Sequence, residues 1–200
     1  MRILIIGGKG TIGNRVTAHF AKNNEVLVAG RTGGDFIVDI ADSKSIKAML
    51  INTGKLDAIV CIAGEAKWAA FNDLSEEDYY IGLRSKLMGQ VNLVRIGQNY
   101  LTPNGSITLS TGILADYPVP MTTSAAMVNG GIHSFVQAVA LEIKNNIRVN
   151  AVSLGLVEDA YEKYKDYFVG HNPISMKKVV NAYVRSVEGK DSGQNIRVYN

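Results

Sequence analysis

Several features that would direct a chain to a membrane, a disulfide framework or a nucleic acid are missing. Cys61 is the single cysteine, so no disulfide can form within the chain. No apolar run reaches the roughly 18 residues of a membrane span, and residues 2–6 are too short a run for a signal peptide. The formal net charge is +3, without the basic block that phosphate neutralisation requires. We expect a cytoplasmic protein without membrane or nucleic-acid partners.

Metal chemistry is not expected either. His19 and His171 have no cysteine or carboxylate at the spacing of metal ligands. The chain is instead rich in apolar residues: hydrophobic residues make up 46% of its 200 positions. That share is enough for the core of one domain without disulfides. We therefore expect residues 1–200 to form a single nucleotide-binding domain.

Short apolar runs alternate with longer stretches of helical periodicity, which predicts parallel βαβ units. The fold class is α/β: a Rossmann-type, doubly wound parallel sheet of about seven strands, flanked by helices in three layers. The predicted strands are Arg2–Ile6, Glu25–Ala29, Phe36–Val38, Leu56–Ile62, Ser106–Ser110, Ile147–Ser153 and Ile196–Tyr199. The predicted helices are Thr11–Asn23, Ser43–Ile51, Glu76–Leu101, Met121 or Thr122 to Lys144, and Met176–Val187.

A glycine-rich turn joins the first strand to the first helix. Gly7, Gly10 and Gly13 are spaced as G-x-x-G-x-x-G. Gly7 suits a tight turn, Gly10 a close approach of backbone to a pyrophosphate, and Gly13 the packing of helix on strand. The helix that begins at Thr11-Ile12 offers unpaired N–H groups to phosphates. This context predicts a dinucleotide site, although a turn without a ligand has the same pattern.

The end of the second strand indicates which dinucleotide binds. An NAD site typically has Asp or Glu here, whereas this chain has Arg31 and Thr32. A guanidinium can hold a 2′-phosphate in a bidentate fork, and Lys9 can add a second cation. We therefore predict NADP(H), the alternative being two solvated surface cations.

Two further strand ends suit the adenosine half of that ligand. Asp39-Ile40 follows the third strand, where the carboxylate can bind the adenine amine or can serve only as a turn carboxylate. Ala63-Gly64 follows the fourth strand, and small residues there let a ribose lie against the backbone.

At this point the chain resembles the short-chain dehydrogenase/reductase superfamily over nearly its whole length. GGKGTIG resembles the family's glycine motif and CIAG its N-N-A-G motif. SKLMGQVNLV resembles the long-helix motif, GSITLS the strand before the catalytic serine, and IRVNAVSLGLV the sixth strand with its cofactor-contacting loop. The resemblance implies an NAD(P)-dependent oxidoreductase that forms dimers or tetramers. It also implies that Asn129, Gly155 and Val157 lie at the cofactor.

The catalytic half departs from the family pattern. Ala125 and Asn129 stand where the family's Y-x-x-x-K has tyrosine and lysine. Gly112 takes the place of the catalytic serine, Lys86 that of the long-helix asparagine, and Leu154 that of the proline after the sixth strand. Alanine cannot donate a proton, so another group must act if the chain is an enzyme.

Four nearby residues are candidates to replace the missing catalytic groups. Lys86 can supply a cation or a proton, and Ser110 or Thr111 can bind the substrate oxygen; each can also be an ordinary helix-surface or strand-end residue. Tyr117 can reach inward from its loop or pack on the surface. His133 lies two helical turns beyond the tyrosine position, which favours a packing or interface role.

The sequence therefore leaves two functions open. The first is an NADP(H)-dependent reductase of a small carbonyl or enoyl substrate with a non-standard proton donor. The second is a non-catalytic NADP(H)-binding sensor or regulatory module. The mid-helix pair Gly130-Gly131 suggests close approach by another element, which can also be an internal neighbour. Because the fifth and sixth helices of the family pack across a two-fold axis, the resemblance implies a symmetric homo-oligomer through helices 76–101 and 122–144. A small substrate-covering segment is expected over Glu158–Asn172.

Overall fold

The computed structural model describes residues 1–199. Seven strands form one parallel sheet in the order β3-β2-β1-β4-β5-β6-β7. The predicted Rossmann-type sheet is therefore confirmed. The strands are β1 Arg2–Ile6, β2 Glu25–Gly30, β3 Phe36–Ile37, β4 Leu56–Cys61, β5 Leu101–Gly112, β6 Arg148–Leu154 and β7 Asn195–Val198. The helices are α1 Thr11–Phe20, α2 Ser43–Thr53, α3 Glu76–Gly82, α4 Gly89–Gly97, α5 Thr123–Val139, α6 Tyr161–Tyr164 and α7 Met176–Glu188.

The alternation of side chains along each strand produces two apolar layers. In β1, Ile3 and Ile5 face α1 and α7, whereas Leu4 and Ile6 face the layer of α2, α4 and α5. All four side chains are at most 1% exposed. A strand buried on both faces reads as a continuous apolar run, which is why the sequence predicted it well. Among residues 1–199, no helix has the length and apolarity needed to cross a bilayer.

The long helical stretch is interrupted in a way that the sequence did not predict. Residues 76–101 were expected to form one helix. Instead a π-helical segment, Leu83–Met88, separates α3 from α4, and a 3₁₀ turn at Gln98–Tyr100 precedes β5. Segments of π-helix are rare and often occur at functional sites. This one contains Lys86.

Two other helices end earlier than predicted. α1 stops at Phe20, where the Asn24 side-chain amide donates to the Phe20 carbonyl oxygen at 3.0 Å. α5 stops at Val139 and is followed by turns that reach Asn145 and Asn146. Both asparagines have a positive φ, a conformation that asparagine tolerates and that is incompatible with a continuing helix.

Strand β5 extends beyond the end of its neighbour β4, so the last residues of β5 have no strand partner on that side. Pairing of β4 with β5 ends at Val60 and Thr108. Beyond it, the Gln90 side chain of α4 replaces the missing strand: its amide donates to the Ser110 carbonyl oxygen and accepts from the Ser110 N–H, both at 3.0 Å. Gln90 is fully buried.

Gln90→Leu is expected to destabilise the fold by about 2–6 kcal/mol, because two buried backbone groups of Ser110 lose their partners at about 1–3 kcal/mol each. For a chain of this size that corresponds to a fall in melting temperature of roughly 4–24 °C. Thermal unfolding followed by circular dichroism measures it, with Gln137→Leu on the exposed face of α5 as the control. Equal melting temperatures for the two variants would contradict the assignment.

Candidate functional site

The candidate site lies where the strand order reverses, at the carboxyl ends of β1 and β4. The sheet runs from β1 outward through β2 and β3 on one side and through β4 to β7 on the other. Such a switch point leaves a crevice in which α/β proteins bind ligands. The predicted glycine turn closes the bottom of this crevice.

The three glycines of the turn differ in what surrounds them. Gly7 has φ +82°, and a Cβ there would lie 2.4 Å from the Ile62 carbonyl oxygen. A Cβ at Gly13 would lie 2.0 Å from the Gly7 carbonyl oxygen. At Gly10 the nearest atom to such a Cβ is 3.4 Å away. Gly7 and Gly13 are therefore required by the protein itself, whereas Gly10 leaves open space above the amino end of α1.

Two cavities flank the turn. The first cavity has a volume of about 300 Å³. Its walls combine the ends of four strands: Ile6, Gly7, Gly30, Arg31, Val38, Asp39, Ile40, Ile62, Ala63, Gly64, Glu65 and Ser85. Most of the residues predicted for an adenosine site, including Asp39 and Ile40, therefore line one cavity. The Asp39 carboxylate also accepts from the Ala41 N–H at 3.0 Å, so the turn role holds as well.

The cations predicted for a phosphate lie beside this first cavity. The Arg31 guanidinium forms an ion pair with Glu65 across the cavity, at 3.1 Å. Lys9 reaches the loop after Arg31, because a Cβ at Gly33 would lie 3.0 Å from Lys9 Nζ. Thr32 is exposed in the same loop. The sequence did not anticipate Glu65, which holds the guanidinium over the cavity mouth.

The second cavity, on the other side of Ile62–Gly64, has a volume of about 420 Å³. Ile12, Gly155 and Val157 line it, as the cofactor prediction requires, together with the predicted Lys86, Ser110 and Thr111. Apolar and aromatic side chains complete the walls: Ile113, Leu114, Leu154, Leu156, Trp68, Tyr164, Phe168 and Tyr183. Both cavities share Ile62, Ala63 and Gly64. One elongated ligand can therefore occupy both.

Among the described residues that line the second cavity, Lys86 is the one with a charged side chain. Its π-helical segment lies against Gly64, where a Cβ would be 2.9 Å from Lys86 Cα. Gly64 has φ +121°, so glycine permits both the turn and the close approach. The Lys86 ammonium has no hydrogen bond or ion pair with any side chain or backbone group of residues 1–199. Burial lowers the pKa of Lys86, and the nearby Cys61 opposes that shift. Burial also raises the pKa of the Cys61 thiol to about 11, so Cys61 is not a thiolate nucleophile.

The two predicted hydroxyls on β5 differ in their partners. Ser110 Oγ donates to the Cys61 carbonyl oxygen and lies 2.7 Å from the hydroxyl of the buried Tyr183. Its single proton is therefore engaged within the protein. Thr111 Oγ1 lies 2.8 Å from Nε2 of His133, and Thr111 is one of the residues that line the second cavity. Thr111 can therefore meet a ligand, whereas Ser110 has no free proton to offer.

The remaining predicted residues are less directly placed. Thr11 is exposed at the first turn of α1. Asn129 is 4% exposed, lies behind Gly112 rather than on the cavity wall, and its Oδ1 has no partner within residues 1–199. Tyr117 does not reach inward: it is 59% exposed and packs edge-on against Tyr199. Within residues 1–199, no three His, Cys, Asp or Glu side chains cluster as a metal site.

Sequence reasoning missed several residues of the site. His133 was expected to have a packing or interface role; it is buried and lines neither cavity, and its ring contacts Thr111 of the second cavity's wall. Tyr183, Trp68, Tyr164 and Phe168 were not singled out, because aromatic residues in helices and loops usually read as packing. Tyr164 and Phe168 belong to the expected covering segment 158–172, so their location on one wall of the cavity is consistent with that role.

The chain was compared with known proteins. A family model described as enoyl-(acyl carrier protein) reductase matches residues 15–191. Oxidoreductase UcpA of Salmonella typhimurium is 25% identical over 179 residues, which covers 77% of this chain and 68% of UcpA. An uncharacterised oxidoreductase of Methylorubrum extorquens is 22% identical over 178 residues, covering 77% of this chain and 72% of its own length.

Solved structures give the same result. The protein lin1944 from Listeria innocua has a TM-score of 0.97 and 40% identity, with each chain fully covered. A small-chain dehydrogenase solved in complex with NADPH has a TM-score of 0.88 and 26% identity, covering 100% of this chain and 96% of its own. With the family model spanning most of the sequence and this fold, the chain belongs to the short-chain dehydrogenase/reductase superfamily.

Proposed function

We propose that this protein is an NADP(H)-dependent oxidoreductase that reduces a small, uncharged carbonyl or enoyl compound with a non-standard proton donor. One observation carries the proposal: two cavities meet over the glycine turn and share Ile62–Gly64. A dinucleotide has two halves joined by a pyrophosphate, and the N–H groups at the start of α1 suit that group.

The choice of NADP(H) rests on charge. Arg31 lines the first cavity, and the Lys9 ammonium lies next to Gly33 in the loop that follows Arg31, so two cations lie beside the end of β2. Glu65 holds Arg31 in an exposed ion pair, which is worth only about 0–1 kcal/mol. Charge-assisted hydrogen bonds to a phosphate are worth about 1.5–3 kcal/mol, so a 2′-phosphate displaces Glu65. The NADPH complex of a structural relative supports the same cofactor.

The walls of the second cavity favour an apolar substrate. Trp68 and Tyr164 lie with their ring centroids 5.6 Å apart, and Phe168 lines the same cavity. Lys86 is the only charged residue among those lining it in the described part of the chain. The lining contributed by residues 1–199 has no acidic group to bind an amine and no pair of cations to bind a phosphate or carboxylate in a fork. A neutral, flat molecule fits best.

Within this cavity the residues have separable roles. A bound reduced nicotinamide supplies the hydride, and Ile12, Gly155 and Val157 would hold its ring end. Lys86 places positive charge where the substrate oxygen becomes negative. Thr111 offers a hydroxyl proton, and Ser110 keeps the end of β5 in place through its bonds to Cys61 and Tyr183. Asn129 would contribute a polar group behind Gly112.

A non-catalytic NADP(H)-binding sensor is the second candidate that the sequence leaves open. Its support is the absence of tyrosine and lysine at positions 125 and 129. The relatives, however, are named as oxidoreductases, which favours turnover. Reduction of any carbonyl compound at the expense of NADPH would decide against the sensor.

We also propose that the protein is a single domain with a cytoplasmic location, and that it forms a homo-oligomer through the region of α3, α4 and α5. Ile81, Met88 and Met127 are hydrophobic residues of this region with 39–45% exposure. The two glycines of the pair have different surroundings. Gly131 packs under Leu87, whereas nothing lies within 4 Å of a Cβ at Gly130. Gly130 therefore stays available for contact with a partner.

Arg31→Met is expected to weaken NADPH binding roughly 10- to 100-fold, because the substitution removes the guanidinium that would bind the 2′-phosphate. NADH has no 2′-phosphate, so its binding should be unchanged. Glu65→Gln, which removes the competing carboxylate, is expected to strengthen NADPH binding. Isothermal titration calorimetry measures both. Arg185→Met is the matched control, because it removes an arginine of α7 that forms an exposed ion pair with Asp191. NADH binding as tightly as NADPH in the wild type would refute the cofactor assignment.

A further inference from the structure

The contact between Thr111 and His133 joins the wall of the second cavity to a titratable group. Thr111 lies in the last part of β5 and His133 on α5, with Oγ1 and Nε2 2.8 Å apart. Both residues are 7% exposed. Thr111 lines the cavity and His133 does not, so His133 can affect a ligand only through Thr111.

We propose that Thr111 delivers the proton to the substrate oxygen and that His133 positions the Thr111 hydroxyl and restores its proton. The inference rests on the proposed reductase function and names the proton source that Ala125 cannot supply. Lys86 keeps a separate role as the fixed positive charge of the cavity.

In the proposed step, a bound reduced nicotinamide would supply a hydride, with its two electrons, to the carbonyl carbon, and the carbonyl π bond breaks. The substrate oxygen takes the proton of Thr111 Oγ1, while Thr111 Oγ1 takes the proton on Nε2 of protonated His133. The products are an alcohol, an oxidised nicotinamide and neutral His133, which regains a proton from water. In the reverse direction neutral His133 accepts the proton of the alcohol through Thr111.

The other hydroxyl pair at the end of β5 cannot perform this step. Ser110 donates to the Cys61 carbonyl oxygen, so the chain of donors from Tyr183 through Ser110 ends inside the protein. Burial also raises the pKa of the Tyr183 hydroxyl well above its ordinary value. Thr111 has a basic nitrogen behind it rather than a carbonyl oxygen, and can therefore both lose and regain a proton.

Charged groups from two elements face the His133 ring. Burial lowers the pKa of His133; Asp116, before α5, opposes that shift, and Arg197 of β7 adds to it. Arg197 and Asp116 pair with each other at 2.7 Å, so their effects on the ring largely cancel. Tyr199 donates to the same carboxylate, and the Asn195 amide contacts the His133 carbonyl oxygen. The ring is therefore mostly neutral at pH 7.

The two directions of the reaction should depend on pH with opposite signs. Carbonyl reduction needs the protonated ring, so kcat for reduction should rise as the pH falls through a pKa below 6.5, the ordinary value for histidine. Alcohol oxidation needs the neutral ring and should be lost over the same range. A purely structural contact between Thr111 and His133 would leave both profiles flat.

The first test uses 9,10-phenanthrenequinone, a flat neutral diketone, as substrate with NADPH between pH 5 and 8. His133→Gln is expected to lower kcat at pH 5.5 on the order of 10²-fold, with an unchanged KM, and to abolish the pH dependence. Thr111→Val should do the same, and Thr111→Ser should restore activity. His19→Gln on α1 is the control. A pH profile that survives in His133→Gln overturns the inference alone, whereas NADPH binding without reduction by the wild type counts against the proposed function.

The second test needs no turnover. The chain has three histidines, so ¹⁵N NMR of the imidazole rings resolves each of them, and His133→Gln assigns the third. We expect the His133 ring to titrate below pH 6.5 and its Nε2 resonance to move in Thr111→Val but not in Thr111→Ser. A ring that never takes up a proton between pH 5 and 8, or that does not respond to Thr111→Val, overturns the inference whatever the quinone assay gives.

Discussion

Gly13→Ala is expected to lower NADPH affinity at least roughly 100-fold, the equivalent of about two charge-assisted hydrogen bonds at 1.5 kcal/mol each. The added Cβ would lie 2.0 Å from the Gly7 carbonyl oxygen and 2.8 Å from Gly8 Cα. Both neighbours are backbone, so the turn itself has to move away from the first turn of α1. That movement withdraws the N–H groups that would hold a pyrophosphate.

The same substitution should lower stability. Overpacking typically costs about 1–3 kcal/mol, which corresponds to a fall in melting temperature of roughly 2–12 °C for a chain of this length. Differential scanning calorimetry and an NADPH fluorescence titration measure the two effects on one sample.

Gly10→Ala is expected to lower NADPH affinity without lowering the stability of the fold. Its Cβ meets nothing closer than 3.4 Å, and Gly10 has φ −73°, which alanine adopts without strain. This variant should keep its melting temperature within about 2 °C and still lose NADPH affinity, because the methyl group occupies the space above α1. Unchanged affinity in Gly10→Ala would show that no phosphate lies there.

The parts of the site that were predictable from sequence are those set by local backbone geometry. Gly7, Gly10 and Gly13 follow a buried strand and precede a helix, and this order alone fixes a tight turn next to unpaired N–H groups. Arg31 and Asp39 follow β2 and β3, and the carboxyl ends of parallel strands share one edge of the sheet. Neither inference needed knowledge of distant contacts.

The unpredicted parts depend on contacts between distant segments. Glu65 meets Arg31 across 34 positions, and Thr111 meets His133 only because α5 packs on β5 at one particular register. The π-helical segment has no marker in the sequence, because Leu83–Met88 continues the apolar periodicity of α3 and α4. Side-chain chemistry at such contacts is decided by tertiary packing, on which the pattern of one segment carries little information.

Lys86→Met is expected to lower kcat for carbonyl reduction on the order of 10²- to 10³-fold with little change in KM. The ammonium lies in a mostly apolar cavity, where a fixed charge acts more strongly on a developing alkoxide than it would in water. The methionine keeps the Cα, Cβ and Cγ atoms that pack against Gly64 and most of the side-chain length, while removing the charge. Because burial lowers the pKa of Lys86, activity that depends on the ammonium should decline at alkaline pH, and this limb should be absent in the variant.

Stability should move in the opposite direction, which distinguishes a functional charge from a structural one. A partly buried ammonium without a partner destabilises the folded state, so its removal should raise stability by about 1 kcal/mol, or roughly 2–4 °C in melting temperature. Lys67→Met, which removes an exposed lysine from the loop after β4, should change neither kcat nor melting temperature. If Lys86→Met were less stable and equally active, Lys86 would be a packing residue, and the charge that assists reduction would have to come from elsewhere in the cleft.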